Sequence, residues 1–279
     1  MRELERDHFD ATTSSAPAMP GRLAILGAGR AGGSLAGAAR AAGIETKLGA
    51  RDVEVAGAHT VLLCVPDHAI RSACERIAPA LDKEALVGHV SGATGLDALA
   101  SAAAQDCPTF SLHPLQTIPS PKTDLSGAPC AVSASNEEAL RAAVLLAECL
   151  GMRPFEVPEA GRAAYHAAAS MASNFLVALE ESAAGLMEAA GVADAREVLA
   201  PLVLRTAANW ADAGAGALTG PTARGDEETV ALHLEALAES APELRPLYEA
   251  LALRTREIAE LSERHLPLEA PFGDGSDIR

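Results

Sequence analysis

Residues 27–32 read Gly27-Ala28-Gly29-Arg30-Ala31-Gly32, and this glycine turn constrains the fold more than any other stretch. The apolar run Leu23-Ala24-Ile25-Leu26 before it predicts a buried strand. The alanine-rich stretch Gly33 to Arg40 after it predicts a helix. Strand, turn and helix in that order are the setting in which a GxGxxG pattern holds a dinucleotide. The first glycine permits the tight turn. The second lets a pyrophosphate approach the N–H groups at the helix start, and the third lets helix and strand pack closely. The cofactor-binding residues expected here are Gly27, Gly29, Arg30, Ala31 and Gly32. The competing reading is an ordinary strand–helix turn, since the chain holds 23 glycines.

The cofactor is read from the end of the next strand, Glu45 to Gly49. An acidic residue there would bond a ribose 2′-hydroxyl, and a nearby arginine would suit a 2′-phosphate. Ala50 stands at the acidic place and Arg51 follows, which predicts NADP rather than NAD. The alternative leaves Arg51 solvated and gives the ribose to Asp52.

With 279 residues and 49% hydrophobic content the chain can build one large or two ordinary domains. Only 3% is aromatic, so the core must be mostly Ala, Leu and Val. A net charge of -16 argues against nucleic acid or an anionic membrane as partner. The five cysteines are scattered without a CxxC pair, which indicates neither a zinc site nor a disulfide framework but small buried hydrophobes in a reducing compartment. No apolar run is long enough to span a bilayer. The first residues alternate acid and base around no apolar stretch, so no secretory signal is expected and the expected location is cytoplasmic.

Residues 1–20 read as a disordered polar leader. Thr60 to Val65 is a clear strand, stopped by Pro66-Asp67, with a helix over 68–78. Val65, Pro66 and Asp67 are expected near the cofactor, because ligands lie beyond strand C-termini; Asp67 could equally be a helix N-cap. Strands over 85–90 and 109–112 end in Ser91-Gly92-Ala93 and His113-Pro114-Leu115-Gln116. A strand, a helix from Asn136 to Leu150 and a strand over 154–157 follow. From Glu159 the strand patterns vanish: one long helix to Ala190 closed by Gly191, a helix over 195–213 kinked or broken at Pro201, and helices over 227–239 and 242–263. The fold expected is an α/β domain over 21–157, an all-α domain over 158–266 and a loose tail over 267–279.

Ser91-Gly92-Ala93, Leu112-His113-Pro114-Leu115-Gln116-Thr117, Tyr165-His166, Ser173-Asn174 and Leu218-Thr219-Gly220-Pro221 with Arg224-Gly225-Asp226 follow one another in the chain. In this the chain resembles Rossmann-like proteins with a DUF2520 C-terminal domain. Those are similar in plan to 6-phosphogluconate dehydrogenase-like and pyrroline-5-carboxylate reductase-like enzymes. The resemblance runs from Gly21 to about His265. It implies a Rossmann domain, an all-α dimerising domain, and NAD(P) binding.

The β-hydroxyacid dehydrogenases of that plan carry a catalytic lysine in a GxxxK pattern early in the long helix. Here Gly161 puts Tyr165 at that place, and the chain's lysines are Lys47, Lys83 and Lys122. Another group must handle the proton. His166 is the candidate, since histidine titrates near neutrality. His166, Ser170 and Asn174 recur at four-residue spacing and share a helix face; they could instead bond neighbouring helices. His113, Ser91 and Asn174 could orient substrate, and Ser91 could instead bond the nicotinamide amide of the cofactor; the competing reading makes His113 and Ser91 turn residues. Gln116, Tyr165, Ser170 and Arg224 are further candidate substrate contacts, and Asp226 reads as an N-cap. No metal site is expected.

The whole predicts an NADP-dependent oxidoreductase acting on a small carbonyl or imine substrate between two domains, paired as a homodimer through the helical one. The rival is a non-catalytic NADP-binding sensor or assembly protein. A ketopantoate reductase-like activity is weakened by the missing lysine.

Overall fold

The computed structural model describes residues 21–265; the expected leader 1–20 and tail 267–279 lie outside the described residues. The described chain divides into two compact units, one ending at Ser173 and the other starting at Asn174.

The first unit alternates strands and helices: β1 Leu23–Leu26, α1 Arg30–Ala41, β2 Thr46–Gly49, β3 Thr60–Leu63, α2 Ile70–Ile77, β4 Leu86–His89, α3 Ala100–Ala103, β5 Thr109–Pro114, β6 Pro129–Ala134, α4 Glu137–Cys149, β7 Arg153–Glu156 and α5 Arg162–Ser170. The strands form one sheet in the order β2-β1-β3-β4-β5-β6-β7. Only the β5–β6 pair is antiparallel. The central strands are apolar on both faces because both faces are covered. Leu23, Ile25, Leu62, Phe110 and Leu112 face a core shared with α1 and α4, while Ala24, Leu26, Val61, Leu63 and Val87 face one shared with α2 and α3. Gly88 makes room for the Phe110 ring, whose atoms occupy the place a side chain at 88 would take.

Local sequence sets several ends. The Asn136 side chain accepts the Ala139 N–H and caps α4. Asp67 does not cap: Pro66 holds the extended cap position, and Asp67 starts a short 3-10 turn, Asp67–Ala69, ahead of α2. Strand β5 runs further than its apolar letters suggest. His113 and Pro114 stay in it because β6 pairs alongside, His113 opposite Ala131 and Pro114 opposite Cys130.

Helix α5 begins after a 3-10 turn, Glu159–Gly161, and passes into a π-helical segment, Met171–Phe175. The second unit continues with α6 Leu176–Ala189, α7 Ala195–Ala213, α8 Glu227–Ser240 and α9 Arg245–His265. Gly191 closes α6 at φ 88°, with Val192 N–H returning to the Met187 carbonyl. Pro201 neither breaks nor ends α7, whose leucine- and alanine-rich flanks carry it through the missing N–H. Asp226 caps α8, accepting the Thr229 N–H and hydroxyl at 3.0 and 2.7 Å. Within this unit α6 packs on α7 and α8 on α9.

Candidate active site at the carboxyl edge of the sheet

Parallel pairing brings the C-terminal ends of β1 to β5 to one edge. The chain leaves β2, crosses β1 and returns as β3, so β1 and β3 flank the switch point where ligands of such sheets bind. The glycine turn stands there. Gly27 has φ 116°, and a side chain on it would strike the Cys64 carbonyl. Gly32 packs so closely that a Cβ would meet the Gly27 carbonyl oxygen and lie 3.2 Å from Cys64 Cβ. Gly29 differs: a Cβ there would meet no atom of the described residues within 4 Å. The first and third glycines are therefore demanded by packing, while the second opens onto free space at the start of α1. The first-turn N–H groups of α1 have no intrahelical acceptors, which suits an anion. Gly29 serves as N-cap without a side chain, and Arg30, the next residue, is exposed. These residues fit a dinucleotide pyrophosphate.

Arg51 is exposed just beyond β2, beside exposed Ala50 and Asp52. Val65, half-buried, and exposed Pro66 and Asp67 follow β3.

Two strands along, the edge carries aromatic and polar side chains. His113 on β5 and Tyr165 on α5 share a hydrogen bond, Nδ1 to Oη 2.6 Å. Their rings meet edge to face at 5.7 Å, and His166 meets His113 at 6.0 Å. All three are half-buried. Both histidine rings press on Gly92: a Cβ there would lie 2.8 Å from His113 Cε1 and from His166 Nδ1. Burial, then the neighbouring His166, pushes His113 down to about 4, so it is neutral at pH 7. Burial pushes the Tyr165 phenol up to about 12. Each group of the pair is thus uncharged, and one proton is shared across the bond; when Tyr165 donates, the His113 proton sits on Nε2. His166 Nδ1 is buried, with no hydrogen-bond partner among the described residues.

Behind this cluster lies a buried polar row that the sequence reading did not single out. His89, Ser111 and Ser133 are neighbours across β4, β5 and β6, all buried. Ser111 and Ser133 share a hydrogen bond of 2.9 Å. Arg162, 5% exposed, bonds both hydroxyls, with Ser111 Oγ at 2.8 Å, and pairs with Glu159 at 2.9 Å. Burial and then the Arg162 charge push His89 down to about 4. The usable signal was the alternation in β5, where Ser111 and His113 interleave with Phe110 and Leu112.

Other expected site residues fall as follows. Ser91 is buried, and its hydroxyl accepts the Ala93 and Thr94 N–H groups at 3.2 and 2.9 Å, which is turn chemistry. Gln116 Nε2 donates to the Asp124 carbonyl at 2.9 Å, bracing its own loop. The expected shared face of His166, Ser170 and Asn174 is interrupted. Ser170 ends α5, and Asn174 lies in the π-helical segment, where i to i+5 bonding replaces the four-residue register. Asn174 and Arg224 belong to the second unit; in the first, His113, Tyr165 and His166 meet over the Ser91-Gly92 turn.

A family model for a Rossmann-like domain matches residues 45–114, and one for a domain of unknown function, DUF2520, matches residues 128–255. The chain carries a Rossmann-like domain followed by a DUF2520 domain. The DUF2520 match runs from just ahead of β6 into α9. The glycine turn precedes the Rossmann-like match. No curated protein matches the chain. Among solved structures, a Bacteroides fragilis protein provisionally described as an NADP oxidoreductase is 23% identical, covers 86% of this chain and 99% of its own, and has a TM-score of 0.71. A Thermotoga maritima protein is 24% identical over 87% of this chain and 100% of its own, with a TM-score of 0.68. A pyrroline-5-carboxylate reductase from Coxiella burnetii is 13% identical over 87% and 98%, with a TM-score of 0.57. At these identities the likeness concerns the fold. Among the described residues no helix is long and apolar enough to cross a membrane.

Proposed function

We propose that this Rossmann–DUF2520 chain is an NADP-dependent oxidoreductase for a small carbonyl or imine substrate. One observation carries the reading: a glycine turn shaped for a pyrophosphate shares a sheet edge with the His113–Tyr165–His166 cluster. The turn and the cluster stand three strand spacings apart, about 14 Å. That separation is one a dinucleotide bound at the turn would span. The names of the Bacteroides fragilis and Coxiella burnetii neighbours support the same class of chemistry.

When bound, the cofactor supplies or accepts the hydride. The chain's residues do the rest. Gly27, Gly29, Gly32 and the start of α1 hold the pyrophosphate, and Arg51 pairs with the 2′-phosphate. His166 gives or takes the substrate proton in place of the absent lysine. His113, neutral and tied to Tyr165, orients the substrate through its outer nitrogen. The Ser91 turn presents Gly92 beneath both rings. Ser170, on the same helix as Tyr165 and His166, is a further substrate contact. Five free cysteines suit a cytoplasmic protein.

The same reading includes a homodimer through the second unit. Leu202, Leu204 and Trp210 on α7 are 63%, 71% and 67% exposed, and Phe175 is 62% exposed. Large side chains so exposed on neighbouring helices call for a covering surface.

The test is steady-state NADPH oxidation across a panel of keto acids, linear imines and cyclic imines. Turnover of one class, with NADPH preferred to NADH, is expected. NADPH binding without turnover of any member would instead favour a non-catalytic NADP-binding protein, to which the missing lysine lends weight.

A further inference from the structure

The buried guanidinium of Arg162 sits in an expensive place, since a charge taken out of water must be paired and fully bonded. Its partners are spread over three parts of the first unit. Ser111 and Ser133 belong to β5 and β6. Glu159, in the turn before α5, takes both Nε and Nη2 of Arg162 at 3.1 and 2.9 Å. Glu159 also accepts the Leu96 N–H at 3.1 Å, tying in the loop that starts at Ser91 and Gly92.

The spacing on the two elements matches. Ser111 and His113 are two apart on β5, so they share a sheet face about 7 Å from each other. Arg162, Tyr165 and His166 are three and four apart on α5, so they share a helix face over about 4.5–6 Å. Arg162 over Ser111 and Tyr165 over His113 are two successive rungs between one helix and one strand. Moving the first rung displaces the second.

We infer that Arg162 is a positioning residue for the His113–Tyr165–His166 cluster, setting the register of α5 over β5 through the Ser111–Ser133 pair. What the cluster is for rests on the function proposed above; the register does not. The charged and titratable groups acting on the His113–Tyr165 pair are Arg162 and His166 from α5, Asp67 from the turn after β3, and Cys130 from β6. Burial, His166 and Arg162 lower His113, and Asp67 opposes them.

The experiment uses the full chain without cofactor. Ring titration of His113 and the ring-to-ring NMR contact between His113 and Tyr165 are followed in Arg162→Met, Arg162→Lys and the double variant Ser111→Ala/Ser133→Ala. NADPH affinity is followed by fluorescence. In Arg162→Met and in the double variant, the contact is expected to weaken and the His113 midpoint to rise from about 4 toward 6.5. Arg162→Lys, which keeps the charge but loses the planar fork, should restore both in part. NADPH affinity should stay within about twofold, because the glycine turn lies on other strands. Once a substrate is in hand, kcat should fall by about a hundredfold with KM for NADPH unchanged. Folded variants that keep the parent contact and titration would overturn the inference. So would unfolding of all three, which would make Arg162 a purely structural anchor. A parent chain that fails to bind NADPH would refute the proposed function while leaving the titration result to stand.

Discussion

Arg51 and His166 are the two side chains on which the proposed chemistry turns. Arg51 is exposed beyond β2 with Ala50, not an acid, ahead of it. A charge-assisted bond to a 2′-phosphate is worth about 1.5–3 kcal/mol. Arg51→Ala should therefore weaken NADPH by roughly ten- to a hundredfold and NADH little, as measured by fluorescence titration. Equal losses would return the ribose to Asp52. For the proton, His166→Ala should lower turnover by about 10²–10⁴ with NADPH affinity unchanged. Tyr165→Phe removes only the hydroxyl that His113 holds at 2.6 Å. It should cost less than His166→Ala if His166 is the donor and more if Tyr165 is. Parent-like turnover in both variants would pass the role to His113 or a bound water.

At the scale of elements, β4, β5 and β6 carry the polar row and α5 covers it. His89 and His113 both sit at about 4 in the fold, below the 6.5 of a free ring. Between those values the unfolded chain binds protons that the folded chain refuses, so stability rises with pH through this window. It is fully present above 6.5 and lost as pH falls to about 4. Each unit is worth about 1.4 kcal/mol per ring. His113 is part-exposed, so its share is smaller, and together the two rings should cost a few kcal/mol between pH 7.5 and 5. Urea midpoints at the two pH values measure it, in a range where ordinary carboxylates stay ionised. A flat profile would mean that the rings accept protons freely. The π-helical segment belongs to this scale too. It lies where the chain passes from one unit to the other, and the four-residue register that would have linked His166 to Asn174 does not survive it.

For the whole molecule, the two units differ in how well they bury their own side chains. The first has two packed cores, one on each face of its sheet. Among the described residues the second buries few on α6 to α8: Ala184 on α6, Ala195 on α7, and Val230 and Leu237 on α8. Small side chains bury little area each, so such helices gain little from packing only on one another. A closed two-fold pair is the commonest solution. Light scattering at micromolar concentration should give twice the chain mass of 28.5 kDa. Trp210, 67% exposed in the single chain, should show the blue-shifted emission of a buried indole. A monomer with a solvent-exposed indole would contradict the dimer.

What the sequence by itself determined is local. The glycine turn, the apolar runs of β1 and β3, the Asn136 and Asp226 caps and the Gly191 stop each lie within a few residues of what they control. So does the meeting of Tyr165 with the GxxxK pattern. Tertiary structure alone decided the contacts between distant residues. His113 and Tyr165 are 52 residues apart, and Arg162 and Ser133 are 29 apart. Their meeting depends on strand order, on the antiparallel turn of β6 beside β5, and on where α5 crosses the face so made. The same pairing kept His113 and Pro114 inside a strand that residue type alone ends at Leu112. Periodicity reports which side of an element is buried, but not which other element buries it, because that is settled by the packing of the whole sheet.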